Sequence, residues 1–222
     1  MLLEWIELPS SHLGDLEAFY GNVLGLPVAR DGEALSVTVG DSTLRFIPSE
    51  TASPFHFAFN VPSTQFAEAV AWLEARVPLI VYETGETTGH SERWNADMTY
   101  FRDPAGHIGE LIARHEPPFP AMGPFGPASL SEISEIGLAV ADVIAAAQQL
   151  EAVGVPPYRC VPDPSFMSVG DAHGLFIVVR AGRLWFPDRI TPALAQPLRA
   201  GFRQDGRRFT LTADANGALT LA

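Results

Sequence analysis

The apolar positions of this chain repeat one order of elements, a strand, a helix and further strands, along most of its length. Period-two alternation predicts strands, and apolar residues spaced three and four apart predict helices. In the first unit, these patterns predict a strand over 3–8, a helix over about 13–24 and strands over 35–39 and 43–47. The same order then begins again.

The second unit ends in the most regular pattern of the chain. A strand is predicted over 55–61, a helix over about 65–76 and a strand over 79–82. A polar loop over about 83–94 follows, and long loops in compact domains often act as lids or binding segments. The unit closes with a predicted hairpin over 99–113.

The turn of this hairpin is nearly fixed by its residues, DPAG. Asp103 to Gly106 match a type I turn, because Asp accepts from the turn's own amides, proline presets φ and glycine closes the turn. Beyond the turn, alternation places Ile108, Glu110 and Ile112 on one face of the second strand. An unpaired carboxylate on an apolar face costs several kcal/mol. Glu110 is therefore expected at a solvated edge, beside a cation or on a metal.

A segment rich in proline and glycine, over 115–128, separates the second unit from the third and excludes a helix or a central strand there. The third unit has a predicted strand, helix and further strands over 133–140, 143–153, 158–161, 166–169 and 175–179. A closing hairpin is predicted over 209–221, where FTLT and ALTL flank a turn.

Three such units predict an α+β fold built from duplicated modules. The predicted organisation is a two-module domain over 1–114, with modules of about 1–50 and 54–114, a linker over 115–129, and a third module with a C-terminal hairpin over 130–222. A lone third module leaves a sheet face that could recruit its counterpart from a second chain, which makes a homodimer one prediction.

Composition and net charge limit the classes of molecule that this chain is expected to bind. Of 222 residues, 47% are hydrophobic and 18% charged, as in ordinary globular proteins. A net charge of −12 with only 14 basic residues argues against nucleic acid and anionic membranes as partners, and favours a small molecule. The single cysteine, Cys160, excludes an internal disulfide. No basic leader precedes an apolar stretch at the N-terminus, so a cytoplasmic location is predicted.

Three stretches carry a resemblance to a known family: LEAFYGNVLGLPV at 16–28, HFAFNV at 56–61 and YFRDPAGHIGELIAR at 100–114. A strand that opens with His, followed later by a DPxG turn and a GEL strand, resembles the vicinal oxygen chelate superfamily. That superfamily includes glyoxalase I, extradiol dioxygenases and the bleomycin resistance proteins. The resemblance covers 1–114 and, more loosely, 130–186. It implies paired βαβββ modules whose sheets curl into a half-barrel around a metal-binding cleft.

The resemblance also implies metal positions on the first and last strands of two paired modules. In the first module these positions fall on Trp5 and near Arg45, neither of which suits a metal. In the second module, His56 and Glu110 match them. Glu7 shares a strand face with Trp5 and could supply a displaced oxygen ligand. The implied ligands are His56, Glu110 and Glu7 for Zn, Mn, Fe or Ni, with Glu7 and Glu110 also moving a proton.

Two functions of different classes remain open. The first is a metal-dependent enzyme acting on a small molecule with adjacent oxygens, as a lyase, an isomerase or a ring-cleaving oxygenase. The second is a metal-free protein of the bleomycin-resistance type that binds or sequesters a small molecule, with Glu7 or Glu110 paired to Arg45 or to protonated His56. Candidate pocket residues for both are Trp5, Arg45, Asn60, Trp94 and Tyr100.

Glu135 adds one further candidate in the third unit. It occupies, in EIGLAV, the place that His56 takes in HFAFNV. A second site in that module is one interpretation. The sequence shows no partner for Glu135, so an exposed or ion-paired carboxylate is expected.

Overall fold

The computed structural model describes residues 1–121 and 123–222 and confirms an α+β fold of repeated modules. The described strands join into one 14-stranded sheet whose main path has two short side branches of strands, and the sheet does not close. Within the described residues, every helix is too short or too polar to cross a membrane.

The first module contains β1 (Leu2–Ser10), α1 (Leu13–Ala18), β2 (Val28–Asp31), β3 (Ala34–Val39) and β4 (Ser42–Pro48). The predicted helix over 13–24 continues past α1 as a π-helical turn over Phe19–Val23. β4 returns parallel to β1, and β3 and β2 follow as antiparallel neighbours. The pattern did not indicate β2, because its sequence, VARD, is largely exposed.

The second module repeats this order with β5 (His56–Asn60), α2 (Phe66–Glu74), β6 (Thr88–Ser91), β7 (Ala96–Arg102) and β8 (Ile108–Arg114). β8 runs parallel to β5, and β7 and β6 continue the sheet as antiparallel strands. The strand predicted over 79–82 is wrong, since Leu79 makes a single bridge to Phe101. The predicted loop over 83–94 instead contains β6, an edge strand whose polar residues give no apolar alternation.

The third module contains β9 (Glu132–Val140), α3 (Val143–Glu151), β10 (Phe166–Asp171) and β11 (Gly174–Arg180). β11 runs parallel to β9, and β10 pairs with β11. The strand predicted over 158–161 is wrong, because that segment is a loop beside a single bridge from Pro157 to Val169.

Three strands follow the third module: β12 (Leu198–Gln204), β13 (Arg207–Ala213) and β14 (Leu219–Leu221). The predicted closing hairpin corresponds to β13 and β14, which pair antiparallel around a turn closed by the Gly217 N–H and the Asp214 carbonyl. β12 was not predicted, although it pairs with both β13 and β1.

The modules pair in a different order from the one expected. β5 of the second module runs antiparallel to β9 of the third, and β1 of the first runs antiparallel to β12. β9 lies between β1 and β5 in the sheet, and it meets β1 where Leu3 faces Ile133. The cleft expected between modules one and two is therefore shared by modules two and three. The domain boundaries at 114 and 130 stay predictions.

The two faces of this sheet bury different clusters. Leu16, Leu73 and Leu150 of the three helices belong to the large core, together with Leu111 and Ala113 of β8. The opposite face of β8 contributes Ile108 and Ile112 to a second, smaller cluster. The predicted alternation of β8 is thus confirmed, and Glu110 lies on the face turned away from the helices.

The predicted turn between β7 and β8 is confirmed and reaches into the core. Asp103 Oδ1 accepts hydrogen bonds from the backbone N–H groups of Ala105 and His107, each at 3.0 Å, and Oδ2 accepts one from the Tyr20 hydroxyl at 2.9 Å. The Phe55 N–H donates to His107 Nδ1 at 3.0 Å. Burial raises the pKa of Asp103 to about 7 and lowers the pKa of His107 to about 3.

We expect Asp103→Asn to steepen acid destabilisation. As pH falls from 7 to 5, the unfolded chain gains a proton that buried His107 does not take up, which destabilises the fold. Protonation of native Asp103 over the same range is stabilising and offsets this loss. Asparagine keeps the acceptor but cannot titrate. The free energy of unfolding in urea should fall further in the variant than in wild type, by on the order of 2 kcal/mol. Equal changes would contradict this assignment.

Candidate functional site

A cavity of about 520 Å³ lies against the sheet face opposite the helices. All seven strands from β5 to β11 and the loop over 181–197, which follows β11, contribute lining residues. The lining is mainly aromatic and aliphatic around a few polar groups, and it includes His56, Met98, Tyr100, Glu110, Glu135, Ile177 and Trp185.

Three polar side chains of this cavity are buried and face one another. His56 Nε2 lies 3.5 Å from Glu110 Oε2 and 3.7 Å from Glu135 Oε2. The two carboxylates are each 1% exposed. His56, Glu110 and Glu135 lie on three different strands, β5, β8 and β9. The cluster therefore depends on strand pairing within module two and between modules two and three. We refer to His56, Glu110 and Glu135 as the central triad.

The backbone sets the tautomer of His56. Its Nδ1 lies 3.1 Å from the carbonyl oxygen of Ile108, which can only accept a hydrogen bond. Nδ1 therefore carries the proton and donates it. When the ring is neutral, Nε2 presents its lone pair to the two carboxylates, as in histidines that ligate metals.

Glu110 is the least satisfied member of the central triad. Its Oε1 is buried and lacks a hydrogen-bond partner among the described residues. Burial, reinforced by the nearby charge of Glu135, raises the pKa of Glu110 well above its ordinary value. Of the three surroundings expected for Glu110, its burial excludes the solvated edge and leaves a neighbouring cation or a metal.

Glu135 is held by a buried arginine that the sequence did not mark as a site residue. Arg114 NH2 donates to Glu135 Oε1 at 2.5 Å and to Ser134 Oγ at 3.1 Å. The Arg114 side chain is fully buried, with its guanidinium carbon 5.6 Å from the Trp94 ring centre and 5.8 Å from that of Tyr158. One Glu135 oxygen is thereby fixed on Arg114, and the other faces His56.

Comparisons with known proteins bear on the fold. No protein-family profile matches the sequence, and no curated protein matches it. A solved structure described as a putative dioxygenase from Bacillus subtilis aligns with 100% of this chain and 84% of its own, at a TM-score of 0.61 and 15% identity. The chain has the fold of the vicinal oxygen chelate superfamily. At this identity the likeness concerns the fold and not the activity.

Two further structures align over part of the chain. A lactoylglutathione lyase from Agrobacterium tumefaciens is 21% identical, covering 50% of this chain and 91% of its own, with a TM-score of 0.41. The oxidase ChaP-H2 is 23% identical, covering 55% of this chain and 98% of its own, also with a TM-score of 0.41.

The strand register of this vicinal oxygen chelate fold repeats from module two to module three. In module two, His56 is opposite Ile108, and Glu110 lies two residues further along β8. In module three, Glu135 is opposite Leu175, and Ile177 lies two residues further along β11. Three of the four equivalent positions can therefore ligate a metal, and Ile177 supplies an apolar wall at the fourth.

The central triad fits a divalent cation. A nitrogen and two carboxylate oxygens bound to one such ion lie about 3 Å apart, close to the separations found here. Two carboxylates face a single buried guanidinium, so an ionised cluster has one negative charge in excess. Glu110 Oε1 is a buried acceptor without a donor. Imidazole and carboxylate ligands suit Zn, Mn, Fe or Ni.

Glu7 does not join His56 and Glu110, and this corrects the predicted ligand set. Its carboxylate accepts from Arg45 at 2.9 Å and from Arg199 of β12 at 3.3 Å. The guanidinium carbon of Arg199 also lies 5.5 Å from the Trp5 ring centre. Because β1 pairs with β4 and β12, Trp5, Glu7 and Arg45 form a separate ionic and aromatic cluster, and Glu135 takes the predicted place of Glu7.

The other candidate pocket residues divide between two locations. Trp94 and Tyr100 line the cavity. Asn60 is fully buried elsewhere, where its Nδ2 donates to Glu132 Oε1 and to the carbonyl oxygen of Ala172, each at 3.0 Å. Asn60 therefore braces strands and does not face the cavity.

Trp185 is a cavity residue without a signal in the sequence, because it lies on a loop. Its ring centre is 5.5 Å from that of His56. The close packing requires a glycine on β9, since a Cβ at Gly137 would lie 2.5 Å from the Trp185 ring. Arg114 did carry a signal: alternation along β8 places it on the face of Glu110, four residues away.

We expect Arg114→Met to lower the free energy of unfolding by about 3–5 kcal/mol, because it leaves Glu135 buried without its cation. The double variant Arg114→Met/Glu135→Gln removes both charges and should recover much of this loss. Urea denaturation at pH 7 measures both. A double variant as unstable as the single variant would contradict a buried ion pair.

Proposed function

We propose that this chain is a metal-dependent enzyme acting on a small molecule with two adjacent oxygens. The observation that carries the proposal is the convergence of His56 Nε2, Glu110 and Glu135 in one cavity, with a buried Glu110 oxygen left unpartnered. His56, Glu110 and Glu135 would hold Zn, Mn, Fe or Ni. A bound divalent metal supplies Lewis-acid polarisation of the substrate oxygens.

Residues in and beside the central triad can donate and accept a proton. Burial raises the pKa of Tyr100 well above its ordinary value, so its hydroxyl stays protonated. That hydroxyl lies within hydrogen-bonding reach of Glu110 and 3.6 Å from Met98 Sδ, a weak acceptor, so it can pass its proton to a substrate oxygen that binds beside Glu110. With one Glu110 oxygen on the metal, its unpartnered Oε1 would take a proton from substrate and return it.

The cavity walls favour a substrate with an apolar body and an acidic group. Met98, Phe166, Ile177, Trp185 and Phe186 line it and would displace water from the reacting atoms. Arg93, Arg183 and Arg189 also line the cavity, in a chain whose net charge is −12. Burial and the neighbouring charge of Arg189 lower the pKa of Arg183. An anionic group on the substrate would relieve this repulsion.

One observation favours a second candidate, a metal-free binding protein. Arg114 already neutralises Glu135, and the raised pKa of Glu110 allows this carboxyl to hold a proton. The central triad would then be electrically balanced around an organic ligand. For the proposed enzyme, the reaction class stays a prediction from the sequence. Homodimer formation and a cytoplasmic location also stay predictions.

Metal content discriminates the two candidates. We expect tag-free wild type to contain about one equivalent of metal at the central triad, and His56→Ala and Glu135→Gln to lose it, because each removes one of three ligands. Glu7→Gln is the matched control, a buried carboxylate outside the cavity, and should keep it. Elemental analysis after dialysis provides the measurement.

The outcomes separate the alternatives. Metal lost from Glu7→Gln but kept by Glu135→Gln would overturn this assignment of ligands. Wild type without metal, and without a shift in melting temperature when Zn²⁺, Mn²⁺ or Fe²⁺ is added, would favour the binding protein. Metal-loaded protein would next be tested on dicarbonyl and catechol compounds that carry a carboxylate.

A further inference from the structure

A second group of metal-ligating side chains lies at the outer edge of module two. His90 Nδ1 is 2.7 Å from Asp97 Oδ1, and His115 Nε2 is 2.7 Å from Asp97 Oδ2. The two imidazole rings lie with their centres 6.1 Å apart. One carboxylate is thus shared by two histidines, one on each oxygen. We refer to His90, Asp97 and His115 as the edge cluster.

Strand pairing builds the edge cluster. His90 of β6 is directly opposite Asp97 of β7, so their side chains project from the same face of the sheet. His115 follows β8, and its N–H donates to the Asn95 carbonyl at 2.9 Å, which places it diagonally from Asp97. Residues distant in sequence are therefore held together by backbone hydrogen bonds and not by side-chain contacts alone.

We propose that the edge cluster binds one divalent transition-metal ion such as Zn²⁺. One nitrogen from each histidine and one Asp97 oxygen lie within 4.8 Å of one another. Two imidazoles and a carboxylate form a ligand set preferred by Zn²⁺, Co²⁺ and Ni²⁺. Each imidazole would ligate the ion through the nitrogen that now faces Asp97 and would carry its proton on the other ring nitrogen.

Exposure and charge distinguish this group from an ordinary surface network. The side chains are 40%, 28% and 38% exposed for His90, Asp97 and His115, so an ion can enter and water can complete its coordination. In the described part of the chain, the ionic partners of Asp97 are these two histidines and no arginine. With neutral imidazoles the cluster has one negative charge, which attracts a divalent cation.

The ion would tie the short edge strand β6 to β7 and to the end of β8. His90 also lines the cavity, beside Ser91, Arg93 and Trp94. An ion at the edge cluster would therefore fix one rim of the opening. This site is separate from the central triad and does not depend on the proposed function.

Zinc binding by matched variants tests the proposal. Chelator-treated, full-length protein is dialysed against Zn²⁺, and bound zinc is counted for wild type, His115→Gln, Asp97→Asn and the control His12→Gln. His12 is a half-exposed histidine outside the cluster. Wild type and His12→Gln should bind one more equivalent than the two cluster variants, whatever the central triad binds, and their affinity for that ion should exceed the variants' by at least about tenfold.

A second measurement guards against misfolding and against confusion with the central triad. Zn²⁺ should raise the melting temperature of wild type and of His56→Ala, because binding stabilises the folded state, but should raise that of Asp97→Asn less. Melting in chelator confirms that the variants fold. Equal zinc counts in wild type, His115→Gln and Asp97→Asn would overturn the edge site, whether or not His56→Ala loses an ion.

Discussion

The antiparallel pairing of β5 with β9 is the constraint on which the site depends. This pairing places Ala58 opposite Glu135, and the parallel pairing of β5 with β8 places Ala58 opposite Glu110 as well. A small residue on the central strand is thus flanked by two carboxylates, with His56 two positions away on the same face. Without this contact between modules two and three, Glu135 and Arg114 would not be buried next to each other.

Electrostatics connects the fold to its chemistry. The central triad and Arg114 place two carboxylates and one permanent cation in a region with little exposure to water. A buried charge without a partner costs several kcal/mol, so the remaining negative charge must be cancelled by a proton or by a cation. The same requirement raises the pKa of Glu110 and makes the cluster suitable for a divalent metal. The same excess negative charge therefore affects both the stability of the fold and the binding of a metal.

Local patterns predicted much of the fold, and the family resemblance implied two of the three residues of the central triad, His56 and Glu110. The turn at Asp103 and the alternation through Glu110 depend on neighbouring residues, and the pairing of His56 with Glu110 lies within one module. Glu135 joins the triad only because β9 pairs with β5, on the other side of the segment over 115–129. Hydrophobic alternation within a strand does not predict which strands pair. The equivalence of Glu135 to His56 was visible in the sequence, but which modules pair was not. Arg114 was predictable in principle, because it shares the face of Glu110.

Other differences have physical causes of the same kind. β6 is a polar edge strand stabilised by hydrogen bonds to β7, so hydrophobic periodicity could not reveal it. The edge cluster escaped notice because His90, Asp97 and His115 have no regular spacing in the chain and converge through strand register. Trp185 reaches His56 from a loop, and its place depends on Gly137 being without a side chain.

Anomalous diffraction from crystals of metal-loaded protein would show directly whether the central triad binds a metal ion. Data collected at the zinc absorption edge would locate the ion without assumptions about activity. We expect a peak bonded to His56 Nε2 and to carboxylate oxygens of Glu110 and Glu135, with Arg114 still on the other Glu135 oxygen. A peak at Glu7, or fully occupied zinc elsewhere with none among these three residues, would contradict it.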